Sequence, residues 1–270
     1  MNMKQKIALV TGASSGIGLA TAQRLAQAGY KVYGTSRRGG TAKGASFEML
    51  ALDVTSDASV DAAVEQLMAR EGRIDLLVNN AGFGVAPAAA EESSLDQARA
   101  IFDTNFFGII RMTRAVVPHM RLQGSGRIIN IGSVLGFLPM PYMALYSATK
   151  HAVAGYTEAL DHELRTLGIR AVVVEPAYIN TPFEANLMAP DAPLDVYRDI
   201  CIGVEKRVKE VLVNADGPEV VAEMVLKAAQ AGRPKMHYTP GLAKRMQLLR
   251  RFAPASVLDA GVRKDLRLPA

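Results

Sequence analysis

The sequence predicts an α/β fold built on a doubly wound parallel sheet. Three observations lead there. Short apolar runs recur along the chain, each suited to a strand buried on both faces. An amphipathic stretch at helical period follows nearly every one. The 270 residues hold no short-period repeat and no low-complexity linker, so one domain over 1–270 is expected.

The elements follow in order. KIALVT (6–11) is a buried strand, and GLATAQRLAQAG (18–29) a helix ended by Gly29. KVYGTS (31–36) is the second strand. FEMLALDV (47–54) is the third, and Ser56 or Asp57 can cap the helix after it. RIDLLVNNAG (73–82) is the fourth strand, with one long helix from Leu95 to Arg121 beyond it. GRIINIGS (126–133) is the fifth, followed by a helix through residues 146–150. IRAVVVEPA (169–177) is the sixth. A lid is expected between Pro182 and Gly217, and a basic C-terminal extension over 233–270.

Composition narrows the classes. No apolar run is long enough to span a bilayer, and Met1 to Lys6 leads straight into a strand with no cleavable signal. The single cysteine, Cys201, allows no internal disulfide, which fits a reducing compartment, and a cytoplasmic location is expected. His119, His151, His162 and His237 have no ligand-like spacing, so no metal site is expected. From Arg233 onward nine basic residues face two acidic ones, a surplus of seven in a chain of net charge +5, so the preceding part carries −2. A solvated helix face explains such a tail best. Without an aromatic-interleaved basic platform, nucleic acid is not an expected partner.

VTGASSGIGLA (10–20) closes the first strand and opens the first helix. Gly12 permits the sharp turn, and Gly16 and Gly18 remove side chains where backbone must approach a pyrophosphate. The helix N-terminus adds free N–H groups and a positive dipole end. Gly12, Ser14, Ser15, Gly16, Ile17 and Gly18 are the candidate contacts of this Rossmann-type loop. A glycine triad alone is weak; the strand before it and the helix after it give it weight. An acid at the end of the second strand would bind a free ribose 2′-hydroxyl, but YGTSRRGG (33–40) has none. Arg37 and Arg38 stand there instead and suit a 2′-phosphate, so the expected cofactor is NADP(H).

Tyr146 lies four residues before Lys150, on one face of a helix. That spacing is common by chance. TGASSGIG (11–18), NNAG (79–82), Asn105 in FDTNFFG, Ser133 in IGSVLG and YSATK (146–150) together resemble, in order and spacing, the short-chain dehydrogenase/reductase family of classical type, over roughly residues 5–240.

The resemblance implies a fold, a reaction and a set of residues. Asn105, Ser133, Tyr146 and Lys150 match the family's catalytic positions. Carbonyl reduction needs a hydride at carbon and a proton at oxygen. A phenol of pKa about 10 is a slow base at neutral pH, and the Lys150 ammonium is expected to lower it. Ser133 is expected to hydrogen-bond the substrate oxygen. By resemblance Lys150 also binds the nicotinamide ribose, and Asn105 holds a water of the proton relay. A helix-interior polar residue bonded locally is the lesser alternative for Asn105. Asp53 and Val54 are implied at the adenine, and Asn80, Ala81 and Gly82 along the adenosine ribose. In PAYINT, Pro176, Ile179 and Thr181 match the family's Pro-Gly-x-x-x-Thr, while Ala177 replaces its glycine.

VLGFLPMPYMAL (134–145) and the segment 178–202 are rich in Leu, Met, Pro and aromatic residues. Such walls suit a hydrophobic carbonyl compound or its alcohol, with Ser133, Met140, Tyr142, Met143, Tyr178 and Phe183 as candidate contacts. The stretch 236–254 resembles the extension of the hydroxysteroid and retinol dehydrogenase branch. Leu242, Met246 and Leu249 repeat there at helical spacing among Lys244, Arg245, Arg250 and Arg251. A helix closing one side of the cleft is the preferred reading, with peripheral contact to an anionic membrane the weaker one. Family members assemble through the helices matching 95–121 and 146–167, which implies a homodimer or homotetramer. A non-catalytic NADP(H)-binding sensor is the competing class. A nucleotide-sugar epimerase or dehydratase ranks low, because 178–202 offers Arg198 alone against Glu184, Asp191, Asp195 and Asp199.

Overall fold

The computed structural model describes residues 5–40, 46–184 and 187–269. Its centre is a seven-stranded parallel sheet in the order β3-β2-β1-β4-β5-β6-β7. The strands are β1 (Ile7–Val10), β2 (Lys31–Ser36), β3 (Glu48–Ala51), β4 (Leu76–Asn79), β5 (Gly126–Ile131), β6 (Ile169–Val174) and β7 (His237–Tyr238). The order reverses between β1 and β4, the switch point where ligands of such sheets bind.

Six strands lie within the sequence-read segments. The seventh went unread: two residues carry no periodicity, and β7 lies at the start of what reads as the basic extension. It is held by pairing Val173 with His237 and Val174 with Tyr238. The Glu175 carboxylate, almost wholly buried, pairs with His237 Nδ1 at 2.9 Å, while Nε2 lies 3.3 Å from Glu158.

Helices cover both faces. α1 (Gly16–Gln27) and α7 (Glu219–Gln230) pack on one side, through Ala22 and Leu25 and through Val221, Val225 and Leu226. On the other lie α2 (Asp57–Glu71), α4 (Gly108–Gln123) and α5 (Ala144–Leu164), through Leu67, Met112, Val116 and Leu160. β1 and β4 are fully buried, which explains the apolar runs IALV and LLV, with Asn79 ending β4 bonded to Asn130 at 2.9 Å. Ser56 caps α2, its hydroxyl accepting from Ser59 N–H at 3.3 Å, and Asp57 is the first helical residue.

The helix expected over Leu95–Arg121 is helical throughout but not uniform. α3 (Leu95–Phe102) passes through a π-turn at Asp103–Phe107 into α4. Gly108 N–H bonds back to Asp103 C=O there, inserting one extra residue into the ladder. Residue patterns at period 3.6 do not reveal such an insertion.

Asp161 locks α5 to the sheet. Its side chain is 0 % exposed and is met by Arg170 Nε at 2.7 Å, Arg170 Nη2 at 3.1 Å, Ala171 N–H at 2.9 Å and Arg165 Nη2. Burial opposes its charge, but these donors prevail and hold its pKa at about 2.

The expected lid region contains α6 (Arg198–Leu212). The C-terminal extension forms α8 (Ala243–Phe252) and α9 (Ala255–Asp265). Val262 of α9 and Leu266 pack with Val204 and Val208 of α6, around Met140, Tyr142 and Tyr178. Arg250 Nε donates to Phe137 C=O at 3.0 Å, seating α8 beside the loop after β5. The predicted apolar stripe is therefore not core: Leu242 and Leu249 are exposed, with Leu248 and Phe252, and Met246 is half-buried.

Candidate active site

The site gathers at the C-terminal ends of β1, β4, β5 and β6. Gly12 turns with φ +66°, a left-handed conformation, and a Cβ there would lie 3.0 Å from Ala81 Cα. At Gly18 a Cβ would fall 2.2 Å from Gly12 C=O, so the loop and the first turn of α1 close only on glycine. Ser15 precedes α1 in extended conformation and its side chain makes no capping bond; the first turn contains no acid. Ser14 and Ser15 are exposed and Ile17 is half-buried. The donors of this helix start are thus left for an anion.

The loop is braced from β4. Thr11 Oγ1 accepts from Asn80 N–H at 2.9 Å and from Ala81 N–H at 3.0 Å, and Asn80 Nδ2 donates to the carbonyls of Thr11 and Gly12. The Asn80 amide is therefore spent on holding the glycine turn. Gly82 faces Asn105, whose Oδ1 a Cβ would approach at 3.0 Å. Thr181 lies against Gly16, at 3.4 Å from a Cβ built there. Ile179 bridges to Asp216, and Pro176 C=O accepts from Val134 N–H at 2.9 Å. With Ala177 in place of glycine, the chain after β6 still reaches the glycine loop.

Arg37 and Arg38 stand exposed in the turn after β2. Asp53 is half-buried beside them; its carboxylate accepts from Thr55 N–H at 2.9 Å and Thr55 Oγ1 at 2.7 Å. Those bonds, Thr55 N–H foremost, hold its pKa below the usual value, with Arg37 adding a smaller pull. Val54 is buried under Gly108.

Ser133, Tyr146 and Lys150 converge. Ser133, 8 % exposed, follows β5 and accepts from Leu135 N–H at 3.1 Å, which fixes its rotamer. Its hydroxyl lies beside the Tyr146 phenol. Lys150 Nζ lies 5.5 Å from the Tyr146 ring centroid and donates to Ile131 C=O at 2.9 Å.

The electrostatics correct one expectation. The Tyr146 pKa is raised, not lowered. Burial pushes the phenol well up, Glu184 adds to the rise, and the Ser133 hydroxyl offsets part of it. Burial also brings the Lys150 amine down to about 8. A phenol that keeps its proton at neutral pH is set to donate it, as carbonyl reduction requires.

Asn105 sits in the π-turn, 1 % exposed. Its Nδ2 donates to Phe83 C=O at 2.8 Å and to Thr149 Oγ1 at 3.3 Å, and its Oδ1 accepts from Phe83 N–H at 3.0 Å. The side chain ties α5 to the loop after β4.

Of the expected substrate contacts, Phe183 lies over the site, its ring 5.9 Å from that of Tyr146. Tyr142 and Met143 line a narrow cleft leading to Tyr146, whose opposite wall is Val85 to Ala90. Tyr142 has φ +63°, and its C=O accepts from Ala88 N–H at 2.9 Å, so the strained residue joins the two walls. Met140 and Tyr178 instead pack together beneath the lid with α6 and α9, Tyr178 Oη reaching Met140 Sδ at 3.6 Å.

Two features escaped the sequence reading. The small residues of Val85–Ala90 form a cleft wall, signalled only by their bareness. Glu92, 3 % exposed, accepts from Ala89 N–H at 2.7 Å and Leu194 N–H at 2.8 Å, with Cys201 Sγ at 3.7 Å. It fastens the lid to the wall. Chiefly through the Leu194 bond, its pKa lies below the usual value.

A parallel sheet with a glycine turn at its switch point and a Ser–Tyr–Lys cluster beside it defines a dinucleotide-dependent oxidoreductase. Residues 6–192 match the short chain dehydrogenase family, and the chain belongs to it. It is 45% identical over 184 residues to the 3-ketodihydrosphingosine reductase of Bacteroides thetaiotaomicron, covering 68% of each chain. With human 17-beta-hydroxysteroid dehydrogenase type 1 it shares 34% identity over 259 residues, 87% of this chain and 77% of that one. Among solved structures, a short-chain dehydrogenase from Streptomyces avermitilis superposes with TM-score 0.78 at 32% identity, covering 98% and 96% of the two chains. Two further structures differ in cofactor. The Burkholderia phymatum protein in complex with NAD has TM-score 0.77, 27% identity and coverage of 93% and 95%. Serine dehydrogenase complexed with NADP+ has TM-score 0.73, 29% identity and coverage of 86% and 93%. The short-chain fold thus serves both dinucleotides.

Proposed function

We propose that the protein reduces a hydrophobic ketone or aldehyde to its alcohol, and runs the reverse reaction, with NADP(H). The observation that carries this reading is the meeting of Ser133, Tyr146 and Lys150 under Phe183, beside a glycine turn that no larger residue could form. The bound reduced nicotinamide supplies two electrons as hydride to the carbonyl carbon. Tyr146 gives its proton to the carbonyl oxygen, Ser133 holds that oxygen, and Lys150 orients the nicotinamide ribose and restores the proton. Asn105 positions α5 against the loop after β4 and so aligns this set. Asp53, Val54, Ala81 and Gly82 flank the adenosine.

The preference for NADP(H) rests on Arg37 and Arg38 where an acid would serve NAD(H). In Arg37→Asp, NADPH binding falls far more than NADH binding; equal losses would remove the basis for the preference. We place the enzyme in the cytoplasm as a homodimer or homotetramer joined through the helical stretches 95–121 and 146–167, with Phe107 of the π-turn 47 % exposed. The exposed Leu248, Leu249 and Phe252 among Lys244, Arg245 and Arg251 support peripheral contact with an anionic membrane as a secondary reading.

The test is absorbance at nicotinamide wavelengths with 3-ketodihydrosphingosine, steroid, retinoid and small diketone substrates, using NADPH and NADH. Turnover that drops by roughly 10²-fold or more in Tyr146→Phe supports the reading. Tight NADPH binding with no turnover across the panel would favour a sensor.

A further inference from the structure

Three buried polar side chains cross the apolar layer between the sheet and α5. Asn79 Nδ2 donates to Asn130 Oδ1 at 2.9 Å, and Asn130 Nδ2 donates to Thr157 Oγ1 at 2.8 Å. The Thr157 hydroxyl passes the chain on to Val153 C=O at 2.6 Å. Asn130 and Thr157 are 0 % exposed, and Asn79 is almost as deep. Leu77 and Ile128, two residues earlier on the same faces of β4 and β5, belong to the apolar core.

Packing does not call for these residues. Valine would fill such places without a polar group to satisfy. Asn79 Oδ1, also buried, has no hydrogen-bond partner among the described residues, a cost that adds nothing to stability. The groups at either end of the chain give it a use. Asn130 directly precedes Ile131, whose C=O accepts from Lys150 Nζ at 2.9 Å. Thr157 lies seven residues beyond Lys150 on α5, two turns along the same face. The Asn130–Thr157 bond therefore ties the helix that carries the lysine to the strand that carries its acceptor. Asn79 and Asn130 are register partners of β4 and β5, and Asn80, the next residue, holds the turn at Thr11 and Gly12.

We propose that Asn130 and Thr157 are positioning residues for Lys150: their hydrogen bond sets how α5 sits on β5 and so keeps the Lys150 ammonium on the Ile131 carbonyl. Neither touches the reacting atoms. This rests on the role given to Lys150 above and adds the groups that hold it in place.

The experiment uses the full chain and two readings that need no turnover. Competitive trace acetylation without cofactor, followed by mass spectrometry, gives the pH midpoint of the Lys150 amine, about 8 in wild type. Fluorescence titration gives NADPH affinity. Thr157→Val keeps the shape of the side chain and removes its hydroxyl. The midpoint should fall to about 7.5 or below, because the ammonium loses its carbonyl partner, and NADPH binding should weaken by about 5-fold or more. Thr157→Ser keeps the hydroxyl and loses a methyl group. It should lower the melting temperature yet leave midpoint and affinity at wild-type values. An unchanged midpoint and affinity in Thr157→Val, or equal changes in Thr157→Ser, would overturn the proposal. Valine at positions 79, 130 and 157 together leaves no orphaned polar group in the layer. That variant should melt above Thr157→Val while its midpoint stays low; recovery of midpoint and affinity along with stability would also overturn the proposal. If wild type binds NADPH but reduces no carbonyl compound, the reductase reading falls, and the two lysine readings still decide this one.

Discussion

Replacing Asp161 by Asn tests how the catalytic helix is anchored. The carboxylate is 0 % exposed and receives Arg170, Arg165 and the Ala171 N–H. Its pKa falls from 3.8 to about 2. At about 1.4 kcal/mol per unit, that shift corresponds to roughly 2–3 kcal/mol favouring the ionised form in the folded protein. Asparagine keeps the shape and one acceptor but loses the charge, so urea unfolding at pH 7 should show a deficit of about 2–3 kcal/mol. A depressed carboxyl pKa contributes stability above 3.8 that is lost as pH falls through about 2. The deficit should therefore stay level from pH 7 to about 5 and shrink below 4. Tyr146 lies 15 residues up the same helix, roughly 22 Å away at 1.5 Å per residue. Turnover at 25 °C should stay within about twofold of wild type. A deficit below about 1 kcal/mol, or one that persists unchanged to pH 2.5, would refute the anchoring argument.

Other outcomes follow from the same geometry. The Lys150 amine, brought down to about 8 by burial, is charged below that pH; NADPH affinity in fluorescence titrations should decline above pH 8, and in Lys150→Met it should be weak with that decline absent. His237 has its pKa raised, chiefly by its bond to Glu175. Its contribution is full below the unfolded value of about 6.5 and is lost as pH rises through the folded one, so the stability gap between wild type and His237→Gln should narrow at alkaline pH in thermal melts. Glu92→Ala frees Leu194 N–H and Ala89 N–H from their acceptor. It should raise KM several-fold with a smaller change in kcat, and hydrogen exchange over 192–201 should quicken.

Strands with continuous apolar runs were legible because burial on both sheet faces favours apolar residues, as at Ile7–Val10 and over 76–78 of β4. The glycine turn was legible because its geometry admits nothing larger. Ser133, Tyr146 and Lys150 were legible as a set, through their resemblance to one family. What stayed hidden depends on contacts between distant segments. Glu92 looks like any surface acid until Leu194, 102 residues on, is laid against it. The sign of the Tyr146 shift was misjudged because spacing along a helix reports the neighbouring lysine but not the depth of burial. Met140 and Tyr178 read as cleft residues, yet the space beneath them is filled by α6 and α9, whose arrival no local pattern announces.

The π-turn at Asp103–Phe107 places α3 and α4 out of phase by one residue. Removing one residue from that segment would let α-helical bonding run on from α3 into α4, as far as Pro118, which has no N–H to give. It would also rotate one half of the helix by about 100° relative to the other, taking Asn105 away from Phe83 and Thr149 or the packed face of Met112 and Val116 away from the sheet. The more regular helix would thus be the poorer enzyme. A stabilising screen that rewards melting temperature alone would be drawn to that deletion and discard the alignment of the reacting groups with it.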